Sequence, residues 1–111
     1  ARFDETRIGA MTALDNQIQI GHNATVGQRT FIASQTGLAG NSHIGDDCEV
    51  GGQVGLANHA RVGNRCRVAA KSGVMGEWEQ GITMFGVPAF EKTEFFRMLG
   101  ALRKLGKQKK R

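Results

Sequence analysis

Twelve aliphatic residues stand at strict intervals of six along the chain: Ile8, Leu14, Ile20, Val26, Ile32, Leu38, Ile44, Val50, Leu56, Val62, Val68 and Val74. The residue after each is nearly always very small, as at Gly9, Gly21, Gly27, Ala33 and Gly45. Two residues before each stands another compact side chain, among them Ala24, Thr30, Cys48, Cys66 and Ser72, with Ile18 the exception. A period of six fits neither the 3.6 of an amphipathic helix nor the 2 of a long strand; it fits short strands separated by tight turns. Three such strands close one triangular coil, so that residue i stacks on residue i+18 at roughly the 4.8 Å spacing of paired strands. The aliphatic and the compact residue before it point inward and fill the prism, which leaves the outer surface for any site. The small residue after the aliphatic is expected to let the backbone turn or approach the next coil closely.

Residues 6–75 supply about four coils without an interrupting loop. After Met75 the hexads stop, and Gly76–Gly81 reads as a loop in which Trp78 lids the end of the core. Ile82–Phe85 offers a last strand, and Gly86-Val87-Pro88-Ala89 a turn that ends it, because Pro cannot donate to a ladder. From Phe90 onward Phe95, Met98, Leu99, Leu102 and Leu105 recur at helical spacing, predicting a helical tail. Gly100 and Gly106 weaken that helix, so it needs a partner to pack against. The expected organisation is an all-β body over residues 1–89 and a basic helical tail over 90–111.

Composition narrows the class. A chain of 111 residues is one domain at most, and 16 Gly without a Gly-X-Y period excludes collagen. No apolar run approaches the ~20 residues that span a bilayer, and the start has no signal-peptide core. The expectation is a soluble, cytoplasmic protein, read as a piece of a longer one. Residues 92–111 hold eight Lys/Arg against Glu94 alone, a balance of +7 within the +5 of the whole chain. Two readings of that tail stand: a solvated terminus that keeps the protein soluble, or a docking site steered by charge toward an acidic partner.

Cys48 and Cys66 are eighteen apart at inward positions, so they stack on successive coils. Small buried thiols suit those positions, and a reducing compartment is the simpler home for them. No Cys-x-x-Cys supports a zinc ribbon, and no metal site is expected. Of the three histidines, His22 projects outward, and Gly40, Asn58 and Gly76 share its eighteen-residue column. One coil therefore offers a base and the next a backbone N–H with no side chain to block it. Acyl transfer from a thioester to an amine or hydroxyl needs that pair: a neutral imidazole for the nucleophile's proton and a fixed donor for the oxyanion.

The pattern resembles the hexapeptide-repeat acyltransferases, and the resemblance implies a left-handed parallel β-helix that assembles as a homotrimer. Asp15-Asn-Gln-Ile-Gln-Ile-Gly-His22-Asn23, then Gly37-Leu-Ala-Gly40, then Gly51-Gly52 with His59, is similar to the UDP-3-O-(3-hydroxyacyl)glucosamine N-acyltransferases of lipid A synthesis. That resemblance extends from about Asp4 to the Gly-Val-Pro-Ala turn and implies His22 as general base and Gly40 as the N–H donor to the thioester oxygen. It places His59 and Asn23 at the substrate, and Asp15 as a group orienting the sugar or the base, a plain turn-forming Asp being the alternative. The acyl donor it implies is a 3-hydroxyacyl chain on the phosphopantetheine of acyl carrier protein, with UDP-acylglucosamine as acceptor and no further cofactor. Arg97, Arg103, Lys104 and Lys107, followed by Lys109, Lys110 and Arg111, suit such an acidic partner. Nucleic acid lacks a motif to support it, and transient contact with an anionic membrane surface remains open. Family members also carry a nucleotide-holding N-terminal domain that this sequence does not include. Three alternatives stand beside this reading: a coenzyme A-dependent sugar N-acetyltransferase of the same fold, a non-catalytic β-helical platform, and a γ-class carbonic anhydrase, which the spacing of His22, His43 and His59 fits badly.

Overall fold

The computed structural model describes residues 6–108. Fifteen short strands lie among the described residues. The first coil holds β1 (Arg7–Ile8), β2 (Ala13–Leu14) and β3 (Gln19–Ile20), and the second β4 (Thr25–Val26), β5 (Phe31–Ile32) and β6 (Gly37–Leu38). The third holds β7 (His43–Ile44), β8 (Glu49–Val50) and β9 (Gly55–Leu56), and the fourth β10 (Arg61–Val62), β11 (Arg67–Val68) and β12 (Gly73–Val74). β13 (Glu77–Trp78), β14 (Thr83–Phe85) and β15 (Phe90–Glu91) follow, and α1 (Lys92–Gln108) closes the described chain. Every third strand pairs in parallel, giving sheets β1-β4-β7-β10-β13, β2-β5-β8-β11-β14-β15 and β3-β6-β9-β12. The register is eighteen residues wherever the hexads run, as in Thr25↔His43↔Arg61. The result is a left-handed parallel β-helix of about four turns with a single C-terminal helix.

The hexad aliphatics from Val26 to Val74 are buried in one core, together with the compact residues two before them. Ile8 and Leu14 are half-exposed at the first coil, where no earlier described coil covers them. The compact residues do more than fill space. Thr30 Oγ1 donates to the carbonyl of Gly45 at 2.8 Å and accepts the N–H of Cys48 at 3.2 Å, and Thr36 does the same with Gly51 (2.9 Å) and Val54 (3.2 Å). Cys48 and Cys66 are free thiols in that role, directed at the carbonyls of Gly63 and Glu79 at 3.2 and 3.1 Å. Burial pushes the Cys48 thiol pKa up, so it is inert. Thr30→Val keeps the volume but strands a buried carbonyl and a buried N–H. A loss of about 1–3 kcal/mol is therefore expected in urea unfolding, with Thr30→Ser retaining most of the stability.

One expectation is narrowed to the second of its two alternatives, and two need correction. The turn is not made by the small residue after each aliphatic; that residue is where coils come closest, and a Cβ on Gly9 or Gly63 would fall within 3.0 Å of neighbouring backbone. The left-handed conformation instead sits two residues later, on non-glycine residues from Met11 (φ 60°) through Asn23 (64°), Asn41 (63°) and His59 (67°) to Lys71 (65°). Its cost of roughly 1–3 kcal/mol per residue is offset by hydrogen bonds between coils, such as Arg29 N–H to Ala10 O at 2.9 Å and Asp47 N–H to Gln28 O at 2.9 Å. Second, Gly76–Gly81 is not a loop throughout: β13 pairs with β10, setting Trp78 against Val62 in a coil shortened by two residues. Trp78 thus covers the core end as part of the ladder, its indole N–H on the Met75 carbonyl at 2.8 Å. Third, Phe90–Glu91 forms an antiparallel strand against β14, and the helix begins only at Lys92.

The Glu91 carboxylate accepts the Glu94 N–H at 3.0 Å and caps the first turn of α1; the backbone N–H groups of Thr93 and Glu94 hold its pKa below the usual carboxylate range. α1 packs through Phe95 and Phe96 onto Phe85, with ring centroids 5.1 and 5.0 Å apart. Met98, Leu102 and Leu105 on the same helix remain exposed. No helix among the described residues is long and apolar enough to cross a membrane.

Candidate active site

Residues 22–23, 40–41 and 58–59 occupy successive turns of one prism corner, where the sheet of β3, β6 and β9 passes into that of β4, β7 and β10. His22 is exposed, and its ring lies against Gly40. A Cβ on Gly40 would sit 3.4 Å from Cδ2 and 3.7 Å from Nε2 of that imidazole, which places the ring directly over this backbone position. The following peptide is pinned on both sides: Asn41 N–H donates to the His22 carbonyl at 3.1 Å, and His59 N–H to the Gly40 carbonyl at 3.3 Å. Asn23 donates its amide to Asn41 Oδ1 at 2.7 Å, which ties the two coils together beside the ring.

The N–H of Gly40 is the chemically open group. At the same turn position on a neighbouring corner, Gln28 and Asp46 donate their N–H to Asp46 Oδ1 and Asn64 Oδ1, each at 2.8 Å. One coil beyond Gly40 stands Asn58, whose Oδ1 faces the Asn41 amide at 3.4 Å instead. Among the described residues no group accepts the Gly40 N–H. A ring with two nitrogens thus stands next to an uncommitted donor, one coil apart.

His22, Asn23, Gly40 and His59 therefore share one corner, and the stacking of Gly40 on His22 is what the eighteen-residue column predicts. Asp15 does not join them within the chain. It lies one corner earlier, after β2, with Oδ1 accepting the Asn16 N–H at 2.8 Å, because seven residues carry the chain around one edge of the prism. Arg97, Arg103, Lys104 and Lys107 are exposed on α1, attached at the last coils through β14 and β15. Lys109, Lys110 and Arg111 lie outside the described residues, as does Asp4. Among the described residues no three His, Cys, Asp or Glu side chains converge as metal ligands.

One residue set aside in the sequence proves to be engaged. His43, on the strand next to this corner, is half-buried with Nδ1 2.6 Å from the Thr25 hydroxyl. Burial, and then the Arg61 guanidinium, push its pKa down from the ordinary value, so the ring is neutral near pH 7. The spacing of Thr25 and His43 was the available signal, since both are outward and eighteen apart. An apolar cleft of about 420 Å³, walled by Leu56, Met75, Val87 and Pro88, opens on the adjoining sheet.

No family model matches this sequence, and no curated protein matches it. Among solved structures it is similar to the serine acetyltransferase of Neisseria gonorrhoeae, with 25% identity over 78% of this chain and 37% of that one, at a TM-score of 0.73. The same enzyme in complex with serine gives 27% identity, covering 77% of this chain and 39% of that one, at a TM-score of 0.70. A hexapeptide-repeat acetyltransferase from Vibrio cholerae, at 17% identity, 75% and 70% coverage and a TM-score of 0.54, shares the fold alone. The chain spans less than half the length of the serine acetyltransferases it matches.

Proposed function

We propose that this chain carries an acyltransferase centre at the His22–Gly40 corner, transferring an acyl group from a thioester to an amine or hydroxyl. The observation that carries the reading is the His22 ring lying against a side-chain-free Gly40 whose N–H has no acceptor among the described residues. In the reaction, the acceptor's nitrogen or oxygen attacks the thioester carbonyl and His22 takes its proton. The Gly40 N–H holds the oxyanion; collapse then expels the thiolate, which takes the proton back from the imidazolium. No covalent enzyme intermediate is needed, and both thiols are buried.

For the donor, the reading nearer to the solved acetyltransferases is an acyl-coenzyme A, with an amino sugar or comparable small acceptor. A second reading has observations of its own in favour. The basic face of α1, with Arg97, Arg103, Lys104 and Lys107, suits an acidic carrier protein, and an apolar cleft of about 420 Å³ is larger than an acetyl group requires. It is the transfer of a 3-hydroxyacyl chain from acyl carrier protein to UDP-3-O-(3-hydroxyacyl)glucosamine. Met98, Leu102 and Leu105 leave an exposed apolar face on α1 that assembly as a homotrimer would cover in either case.

Single-turnover assays with acetyl-coenzyme A and with 3-hydroxyacyl carrier protein, the product read by mass spectrometry, separate the readings. Transfer from the coenzyme A thioester alone supports the first, and transfer that requires carrier protein supports the second. A folded protein that uses neither donor refutes the proposed function.

A further inference from the structure

Outward from the strands beside the His22 corner, one column runs Arg7, Thr25, His43, Arg61 and Glu77 in strict pairing register. The turn column next to it runs Asn23, Asn41 and His59. Between Arg7 and Glu77 these two columns hold hydroxyl, imidazole, guanidinium and amide groups and no carboxylate. Other surfaces of the prism are mixed in sign: Arg29 pairs with Asp47 at 2.8 Å, and Arg67 with Glu49 at 3.6 Å. Among the described residues Arg61 makes no such pair, even with Glu77 one strand beyond it. Asp46, the carboxylate that acts on His43 from the far edge of the face, has Oδ1 committed to the Gln28 N–H at 2.8 Å.

From this arrangement we infer that the Thr25–His43–Arg61 ladder is a phosphate-binding strip, taking the phosphoryl oxygens of a substrate whose reacting end lies at His22 and Gly40. The Thr25 hydroxyl, 2.6 Å from Nδ1, fixes the ring and leaves Nε2 as the nitrogen available to a ligand. Arg61, one strand on, supplies a forked set of N–H donors matched to phosphate oxygens. With no anion present, Arg61 acts on His43 as an unfavourable neighbour; a phosphate between them turns that repulsion into two attractions and raises the His43 pKa. Asn41 and His59 add donors from the adjoining turns. The shared chemistry is phosphate or diphosphate, and it has two sources: the nucleoside diphosphate of a sugar acceptor, or the phosphates on a phosphopantetheine-bearing donor. Naming the ligand as a substrate rests on the acyl-transfer reading; the anion site itself does not.

The test reads binding without turnover, so its failure and the failure of acyl transfer are seen separately. Inorganic pyrophosphate is titrated into histidine-labelled protein while the imidazole resonances are followed by NMR. The expected result is a saturable shift at His43 with an upward move of its pKa, and at least about tenfold weaker binding in Arg61→Gln. Arg67→Gln, on another sheet and paired with Glu49, should bind as the parent does. Competition by uridine diphosphate then assigns the site to the acceptor, and competition by free coenzyme A assigns it to the donor. No response at His43 up to millimolar pyrophosphate would overturn the inference. Equal weakening in Arg61→Gln and Arg67→Gln would do so too, since general basicity would then account for binding.

Discussion

His22→Ala should slow single-turnover acyl transfer by about 10²–10⁴-fold, the range that loss of a positioned general base typically produces. Its unfolding midpoint in urea should move little, within about 0.5 kcal/mol, because the side chain is exposed and surface substitutions seldom cost more. The two readouts together are what make the experiment informative. The ring lies against Gly40 without filling a cavity, so its removal takes away a proton acceptor and leaves the coil ladder intact. Asn41 N–H to the His22 carbonyl and Gly21 N–H to the Leu38 carbonyl are backbone bonds that Ala preserves, at 3.1 and 2.7 Å. Residual transfer should reflect the Gly40 N–H and substrate positioning, which persist in the variant. Undiminished transfer in His22→Ala would remove His22 from the mechanism.

Gly27→Ala should be among the most destabilising single methyl additions in the protein. The residues after the aliphatics at one corner are Gly9, Gly27, Gly45 and Gly63, an unbroken column of glycine. A Cβ on Gly27 would stand 2.7 Å from both the carbonyl carbon and oxygen of Gly45, backbone atoms that can move only if the coils separate. The same methyl would displace the Asp46 carboxylate that caps the Gln28 N–H. Overpacking of this kind costs about 1–3 kcal/mol, which for a domain of this size lowers Tm by roughly 5–20 °C. Gly37→Ala is the control. Its Cβ would meet nothing within 4 Å, so it should be neutral or, through the unfolded chain, slightly stabilising by up to about 1 kcal/mol. Equal thermal shifts in the two variants would show that the close approach at Gly27 relaxes freely.

The site divides along the same line as these two variants. The pairing of His22 with Gly40 was legible because a strict eighteen-residue repeat converts sequence separation into stacking. The same repeat stacks Asn23 under Asn41 and His59, and Thr25 under His43. It could not say that His43 would be half-buried and bonded to Thr25, since spacing gives position and not the depth of a side chain among its neighbours. Asp15 illustrates the opposite limit. Its motif sits seven residues before His22, yet each hexad carries the chain around one edge, and that edge separates the two within the chain.

The sequence by itself determined the architecture: the period of six set strand length, coil size, register and the identity of the core, because alternation within each short strand leaves only two residues per hexad facing inward. Tertiary structure alone decided which small residues must be glycine. Ala and Gly look interchangeable after the aliphatics, but backbone lies too close to admit a methyl at Gly9, Gly27, Gly45 and Gly63 along one corner and at Gly21 and Gly51 on the other two. It also decided that the turns fall on left-handed Asn, Gln, Arg and His residues, whose strain is tolerated because inter-coil hydrogen bonds over-determine it. And it decided that Trp78 belongs to a shortened final coil, since pairing with β10 satisfies backbone groups that a loop would have left to water. Periodicity is a one-dimensional signal, and it fixes what repeats; distances between chain segments, which decide close approach, strain and open donors, exist only once the coils are stacked.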